Sequence, residues 1–329
     1  MRLICSRWFA VCSLLLALTA HAATRPHYGG TLRVEIHESS DAMGSPPGFA
    51  VTSWVGRRAV LAPDENAPGG RPFLDSVEIE MGKPLRDQAI DFGLGKADVV
   101  ELDANESRRP VSGRKVWSSA PVRVLAVVFQ PRIADARIRE ALALAIDRTA
   151  IYNVLLQRQG EISGALLPQW LSGYAFLFPA TADLARARAL AGEAPAAARR
   201  ITLAVDDPAD QPMAERVSVN ARDAGLTVIP APRGGDADAR LVEARVASSN
   251  PSDALKSLAA ALGLPEPPRA DSPETLYAAE SALLEGFRAI PLFHLPDVYG
   301  ASPRVQGGPG ITALGEWSFQ NLWLESGKP

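Results

Sequence analysis

The histidines of this sequence could do chemistry, but they are not spaced as catalysis or metal binding usually requires. Three of the four lie beyond residue 25, at His27, His37 and His294, and none of these forms a His-x-x-x-His pair. A zinc site would require the fold to bring His37 and His294 together with a carboxylate such as Glu38. The pattern favours ordinary histidines in loops and at strand ends, and we predict no metal site.

Motifs for covalent catalysis and for nucleotide binding are missing as well. The sequence has no Gly-x-Ser-x-Gly motif, and the run GLGK at residues 93–96 lacks the earlier glycine and the following serine or threonine of a phosphate-binding loop. The acidic pairs Asp206 with Asp207 and Asp236 with Asp238 fall in turn-like segments, which favours solvated turn residues over a catalytic pair. We therefore predict that the protein is not an enzyme and has no cofactor.

The composition is that of a globular protein without a basic surface for nucleic acid. The 329 residues are 47% hydrophobic and 22% charged, with 37 acidic and 34 basic side chains and a formal charge of -3. Phosphate backbones are bound by stripes of lysine and arginine, and the sequence has no long basic run. We expect no nucleic-acid partner, and the length is sufficient for two lobes with packed cores.

Residues 1–22 have the pattern of a cleavable secretory signal peptide. Two arginines precede an apolar stretch over residues 8–20, and the small residues Ala20 and Ala22 fit a signal peptidase site. A membrane-spanning helix needs about 20 apolar residues, so a retained anchor is the less favoured alternative. Both cysteines lie in this segment, and neither has the context of a lipid attachment site. The sequence thus predicts a protein that lies free in the periplasm without a disulfide.

The remaining chain alternates between strand-like and helix-like patterns, which is typical of an α/β fold. Apolar residues over residues 135–157 recur every four positions, with Asp135 suited to begin one helix and Asp147 a second. Ser272 is suited to begin another. Strand patterns lie at residues 30–37, 77–79, 122–129 and 290–295, and residues 200–230 have the strand, helix, strand pattern of a crossover between parallel strands.

Five short blocks along the chain carry a further signal. They are YGGTLRV at 28–34, FAVTSW with GRPFLDSV at 49–54 and 70–77, GKADVV at 95–100, RIREAL with AIDR at 137–142 and 145–148, and IPLFH with SPRV at 290–294 and 302–305. In type and order these blocks resemble bacterial extracellular solute-binding proteins of family 5, the peptide and nickel group of ABC-transporter receptors. Each block alone is a weak indication of this family, whereas five blocks in the family's order over nearly the whole chain are a specific indication.

The resemblance implies a two-lobed periplasmic-binding-protein-like fold of type II, in the α/β class. Lobe I would consist of residues 23–121 and 296–329, and lobe II of residues 122–295. The strands at 122–129 and 290–295 would cross between the lobes, which would close on the ligand by a hinge motion. Relatives insert a whole subdomain of the first lobe where this chain passes from Asp41 directly to Phe49, so the resemblance implies that this subdomain is missing.

The resemblance also places the ligand between the lobes, against strand ends and aromatic loop residues. The candidate ligand-binding residues on this basis are Trp170, Tyr174, His37, Glu38 and Tyr299. Plain packing is the alternative for each aromatic ring.

Peptide specificity is a separate question. Peptide-binding relatives hold the ligand's ammonium group with an acidic residue just before a Tyr-x-Asp-Pro run. Alignment on Pro251 puts Ala247 or Ser248 at that position, so the usual charge partner of a peptide's amino terminus is absent.

Three functional hypotheses follow from these observations. The leading one is a periplasmic protein that binds a small solute, peptide-like or other, and delivers it to the permease subunits of an ABC transporter. The alternative is a degenerate relative that acts as an interaction or regulatory module without transport, which the missing subdomain makes credible. An enzyme is the third. We expect a monomer.

The signal-peptide interpretation predicts a mature protein that begins at Ala23 and is released by osmotic shock. Mass spectrometry of the native amino terminus tests this. An intact Met1, or a protein that stays with the membranes after a high-salt wash, would contradict it.

Overall fold

The computed structural model describes residues 25–38, 44–232 and 236–325, and the predicted signal peptide lies outside them. In these ranges strands and helices alternate, as expected for an α/β fold. None of the described helices is both long and apolar enough to cross a membrane.

Most strands in the described residues belong to one mixed sheet. The strands are β1 (Thr31–Glu35), β2 (Phe49–Val55), β3 (Arg58–Pro63), β4 (Ser76–Glu80), β5 (Val99–Glu101), β6 (Lys115–Phe129), β7 (Glu161–Ile162), β8 (Arg200–Val205), β9 (Thr227–Pro232), β10 (Ala239–Arg245), β11 (Ala289–Ala301), β12 (Val305–Gln306) and β13 (Trp323–Leu324). The sheet has the order β2-β3-β4-β1-β5-β11-β6-β10-β8-β9, with β7 paired to β11, while β12 pairs with β13. β1 is parallel to β4 and β5, and β8 is parallel to β9 and β10.

Three of the helices begin at the capping residues that the sequence predicts. They are α1 (Leu85–Gly93), α2 (Ala104–Arg108), α3 (Ala136–Ala145), α4 (Arg148–Val154), α5 (Gln169–Ser172), α6 (Leu184–Glu193), α7 (Gln211–Asp223), α8 (Pro251–Ala261) and α9 (Pro273–Leu284). The side chains of Asp135, Asp147 and Ser272 accept backbone hydrogen bonds at the starts of α3, α4 and α9. These bonds satisfy amide groups that a helix start leaves without partners. The crossover predicted over residues 200–230 is confirmed as β8, α7 and β9.

Two long antiparallel strands, β6 and β11, connect the two parts of the sheet. The sequence predicts crossing strands at residues 122–129 and 290–295, and both strands are longer than predicted because they continue into lobe I as partners of each other. Pro121 and Pro296 face each other near the middle of this pair, and the register shifts on either side of Pro296. Proline cannot donate a backbone hydrogen bond, so the ladder is weakest at this point.

The hydrophobic core changes composition at the same point. Trp117 and Tyr299, on the lobe I side of the prolines, pack with β1, β3 and β4. On the lobe II side, Leu125 and Val127 face α3 and α7, while Val124 and alternate residues of β6 face α8 and α9. The division into lobe I and lobe II stays a prediction, which this change of core supports, and we keep both names.

The link between β1 and β2 is short. Its described residues, 36–38 and 44–48, form neither strand nor helix. This agrees with the absence of the subdomain that the resemblance leads one to expect between Asp41 and Phe49.

Candidate functional site

A cavity of about 270 Å³ lies between the two lobes. Lobe I contributes residues that follow β1 and β5, and lobe II contributes residues that follow α4, residues of the turn after β8 and residues at the start of α7. The carboxyl ends of parallel strands are where open α/β sheets usually bind ligands. Its charged lining residues are His37, Glu101, Asp103, Arg123, Asp207, Asp210 and Glu243.

His37 and Asp207 bridge the two lobes. Nε2 of His37 lies 2.9 Å from both carboxylate oxygens of Asp207, and Nδ1 lies 3.2 Å from the carbonyl oxygen of Lys83. Both ring nitrogens therefore face acceptors, which favours the doubly protonated imidazolium. The hydrogen bond to Asp207 raises the pKa of His37 to about 9, although partial burial opposes the shift. The same bond lowers the pKa of Asp207.

Asp207 is held in place by its own turn. It follows β8 and begins a single 3₁₀ turn, where its Oδ1 accepts a hydrogen bond of 2.8 Å from the backbone of Ala209. Asp206 and Asp207 lie in a turn and are partly exposed, as predicted, but they also have partners, because Asp206 pairs with Arg240 and Asp207 pairs with His37. Both partners are far away in sequence, so a local pattern cannot reveal them.

Arg123 lies on β6 at the floor of the cavity. Its Nη1 donates to Oε2 of Glu243 at 2.6 Å, and its Nε lies 3.1 Å from Oδ1 of Asp297. Asp297 also pairs with Arg245, at 2.6 Å. Although burial disfavours the charged guanidinium, Glu243 and Asp297 raise the pKa of Arg123. Alternating charges thus cross the sheet beside Pro121 and Pro296, and each is matched by a neighbour of opposite sign.

Glu101 and Asp210 line the same cavity, but their carboxyl groups have different surroundings. The carboxylate of Glu101 accepts a hydrogen bond from the backbone amide of His37, and burial raises its pKa. Burial, together with Glu243 and Asp207, raises the pKa of Asp210 well above its usual range. The described residues contain no group of three histidine, cysteine, aspartate or glutamate side chains placed to hold a metal ion.

Of the candidate residues from the sequence, His37 alone lines this cavity. Glu38 follows it, and the backbone carbonyl of Glu38 accepts a hydrogen bond from Gly82. Tyr299 is buried on β11, with its ring centroid 4.8 Å from that of Trp317 in the lobe I core. The side chain of His294 is buried as well, and its Nε2 lies 2.9 Å from the carbonyl oxygen of Leu166.

The two candidate aromatic residues of the loop around α5 lie outside the cavity lining. Nε1 of Trp170 donates to the carbonyl oxygen of Pro121 at 2.8 Å, so this indole contacts the middle of β6. The hydroxyl of Tyr174 donates to the buried carboxylate of Glu280 at 2.7 Å, and its ring packs against Tyr277. The structure therefore does not bring Trp170 and Tyr174 together with His37.

A family model described as "Bacterial extracellular solute-binding proteins, family 5 Middle" matches residues 36–247, which is more than half of the chain. The chain belongs to this family. No curated protein matches it. The family resemblance of the sequence blocks is thereby confirmed.

Solved structures similar to this family 5 protein include receptors for peptides and for a nickel complex. The ABC transporter-associated periplasmic binding protein DppA from Helicobacter pylori, in complex with the peptide STSA, is 16% identical, with a TM-score of 0.70 over 85% of this chain and 63% of that one. The oligopeptide-binding protein AppA from Bacillus subtilis, in complex with a nonapeptide, is 14% identical. Its TM-score is 0.67, and the match covers 85% of this chain and 66% of that one. NikA from Staphylococcus aureus, in complex with Ni(L-His)2, is 13% identical. Its TM-score is 0.70, and the match covers 84% of this chain and 68% of that one.

These likenesses show the fold. The predicted two-lobed fold of type II is confirmed, and this family 5 protein spans less than two thirds of the length of the Helicobacter and Bacillus proteins. The family and these neighbours are binding proteins, in agreement with the expectation of a binding function.

The Tyr174 contacts predict a role in stability. Tyr174→Phe removes a hydrogen bond to a buried carboxylate, which should lower the free energy of unfolding in urea by about 1.5 to 3 kcal/mol. Tyr277→Phe is the matched control, because Tyr277 is 47% exposed, and it should change stability by less than about 0.5 kcal/mol. If Tyr174→Phe leaves stability unchanged but weakens solute binding, the aromatic loop belongs to the ligand site after all.

The bridge between His37 and Asp207 predicts a pH dependence. Because the pKa of His37 is raised from 6.5 to about 9, the bridge should stabilise the protein fully below pH 6.5 and lose this effect as the pH rises through 9. Asp207→Asn keeps the acceptor for Ala209 but removes the charge. Both side chains are partly exposed, so the variant should lose about 0.5 to 1 kcal/mol at pH 6 and almost nothing at pH 10. A difference that stays constant over this range would contradict the ion pair.

Proposed function

We propose that the protein binds a small solute in the cavity between its lobes and delivers it to the permease subunits of an ABC transporter. It acts in the periplasm, after removal of residues 1–22, and as a monomer. The observation that carries this proposal is a cavity between two lobes joined by one strand pair, in a chain that belongs to solute-binding family 5.

The geometry supports a hinge at Pro121 and Pro296. These residues interrupt the β6–β11 ladder, while the strand segments on either side are anchored in separate cores. A small rotation at this point would separate His37 from Asp207 and open the cavity. Binding of a solute that contacts both lobes would favour the closed arrangement, which a permease could recognise.

The peptide and nickel complexes seen in structural neighbours are two solute classes that this cavity could have inherited. Two features argue for a solute smaller than a long peptide. The cavity measures about 270 Å³, at the lower end of small-molecule sites. In addition, Ala247 and Ser248 stand where peptide-binding relatives are expected to carry the acidic partner of the ammonium group.

To test this, the protein is purified from its own periplasm, and any solute that accompanies it is identified by native mass spectrometry. The solute is then removed from the protein and added back. We expect the radius of gyration in small-angle X-ray scattering to decrease on addition. Ala209→Trp should abolish binding, because Ala209 lines the cavity and a large ring there fills it. Ala182→Trp, on an exposed loop outside the cavity, is the matched control and should bind normally.

The alternative function is an interaction or regulatory module without transport. The observation that favours it is length, because the chain spans only 63% and 66% of two receptors that bind peptides. A protein that carries no solute, and whose scattering is the same for the wild type and Ala209→Trp, would contradict solute delivery and support this module.

A further inference from the structure

We propose that the cavity between the lobes accepts a small organic cation with an aliphatic body, whose charged group lies against Asp210. This inference rests on the solute-binding function proposed above. It adds the charge and shape of the solute.

The charges that line the cavity do not balance. His37 is matched by Asp207, and Arg123 is matched by Glu243, each within hydrogen-bond distance. The charged lining residues that remain are all acidic: Glu101, Asp103 and Asp210. In a partly desolvated cavity, such carboxyl groups favour a cation, which stabilises their charged form, and disfavour a carboxylate.

Two of these three acidic residues already have a structural use. Glu101 accepts a hydrogen bond from the amide of His37, and Asp103 begins α2, where its side chain accepts a hydrogen bond of 2.7 Å from Glu106. Their carboxylates therefore help to shape the walls of the cavity. Asp210 has no such use.

Asp210 occupies the position that caps α7, yet its side chain makes no capping hydrogen bond. Within the described ranges the Asp210 side chain forms no other hydrogen bond and no ion pair. It is only partly exposed, and its burial, together with the like charges of Glu243 and Asp207, raises its pKa, although Arg123 and His37 act in the opposite direction. A cation beside Asp210 would supply the missing partner and relieve this repulsion.

The rest of the lining indicates what the cation carries. Apolar side chains form much of the remaining wall, and they are Leu85, Leu102, Leu155, Leu156, Met213, Leu295 and Val298. A bare metal ion would leave this wall uncovered, whereas an alkyl chain would bury it. An amine or guanidinium on a short aliphatic chain fits both features.

The experiment uses three compounds with the same five-carbon chain. These are 1,5-diaminopentane as a dication, 5-aminopentanoic acid as a zwitterion and glutaric acid as a dianion. Calorimetric titration of the mature protein, freed of any accompanying solute, should give the highest affinity for the diamine, a lower one for the zwitterion and no binding of glutarate.

Asp210→Asn is the decisive variant. It should weaken binding of the diamine about tenfold or more, and it should raise the melting temperature of the solute-free protein because an unpartnered carboxylate is removed. Asp223→Asn is the matched control, since Asp223 is an exposed residue at the other end of α7 and does not line the cavity. It should bind the diamine like the wild type.

The outcomes separate this inference from the proposed function. Preferential binding of glutarate with a decrease in the radius of gyration would overturn the cation proposal and leave solute binding intact. The cation proposal also fails if the diamine binds equally well to the wild type and Asp210→Asn, or if none of the three compounds binds. An anionic solute recovered from the native protein would likewise contradict the inference while supporting the proposed function.

Discussion

The antiparallel pairing of β6 with β11 is the constraint on which the rest of the structure depends. These two strands belong to both parts of the sheet, and the other strands of the sheet lie on one side or the other of this pair. Their side chains alternate between the two faces of the sheet in lobe II, which lets α3 and α7 cover one face and α8 and α9 the other. At Pro121 and Pro296 the ladder loses donors, and it is here that the cores separate.

The same pair explains why buried charges lie in the middle of the molecule. Where the cores separate, β6 and β11 face a cavity rather than a helix, and Arg123 and Asp297 occupy this interval. Asp297 is 3% exposed and Arg245 approaches it from β10. Such a network costs desolvation energy and adds little net stability. It fixes the geometry of the cavity floor, because replacing one member would leave another buried without a partner.

The local parts of this fold could be predicted from the sequence, because they depend on neighbours within a few positions. Asp135, Asp147 and Ser272 each begin the predicted helix, since a cap needs only an oxygen and the next turn of backbone. The family blocks add the two-lobed arrangement. The full length of β6 and β11 was missed because residues 115–121 and 296–301 become strand through pairing with each other and, for residues 299–301, with β5.

The site was predicted less well for the same physical reason. His37 was found because it follows a recognisable strand, but its partner Asp207 is 170 positions away. Asp206 and Asp207 have the local pattern of a solvated turn, and only the meeting of two strand ends converts that turn into part of a cavity. Trp170 and Tyr174 have the composition of a binding loop, yet their polar atoms are used by Pro121 and Glu280. Residue type alone cannot separate these cases.

The lining of the cavity determines how the lobes can recognise a solute. Contacts across the cavity come from strand ends, from the turn between β8 and α7 and from residues that follow α4. In a cavity of about 270 Å³, selectivity would depend on the size of the solute and on the placement of charge. The bridge from His37 to Asp207 uses one of these charges to hold the lobes together. The carboxylates that remain are then the groups through which the cavity can distinguish one small solute from another.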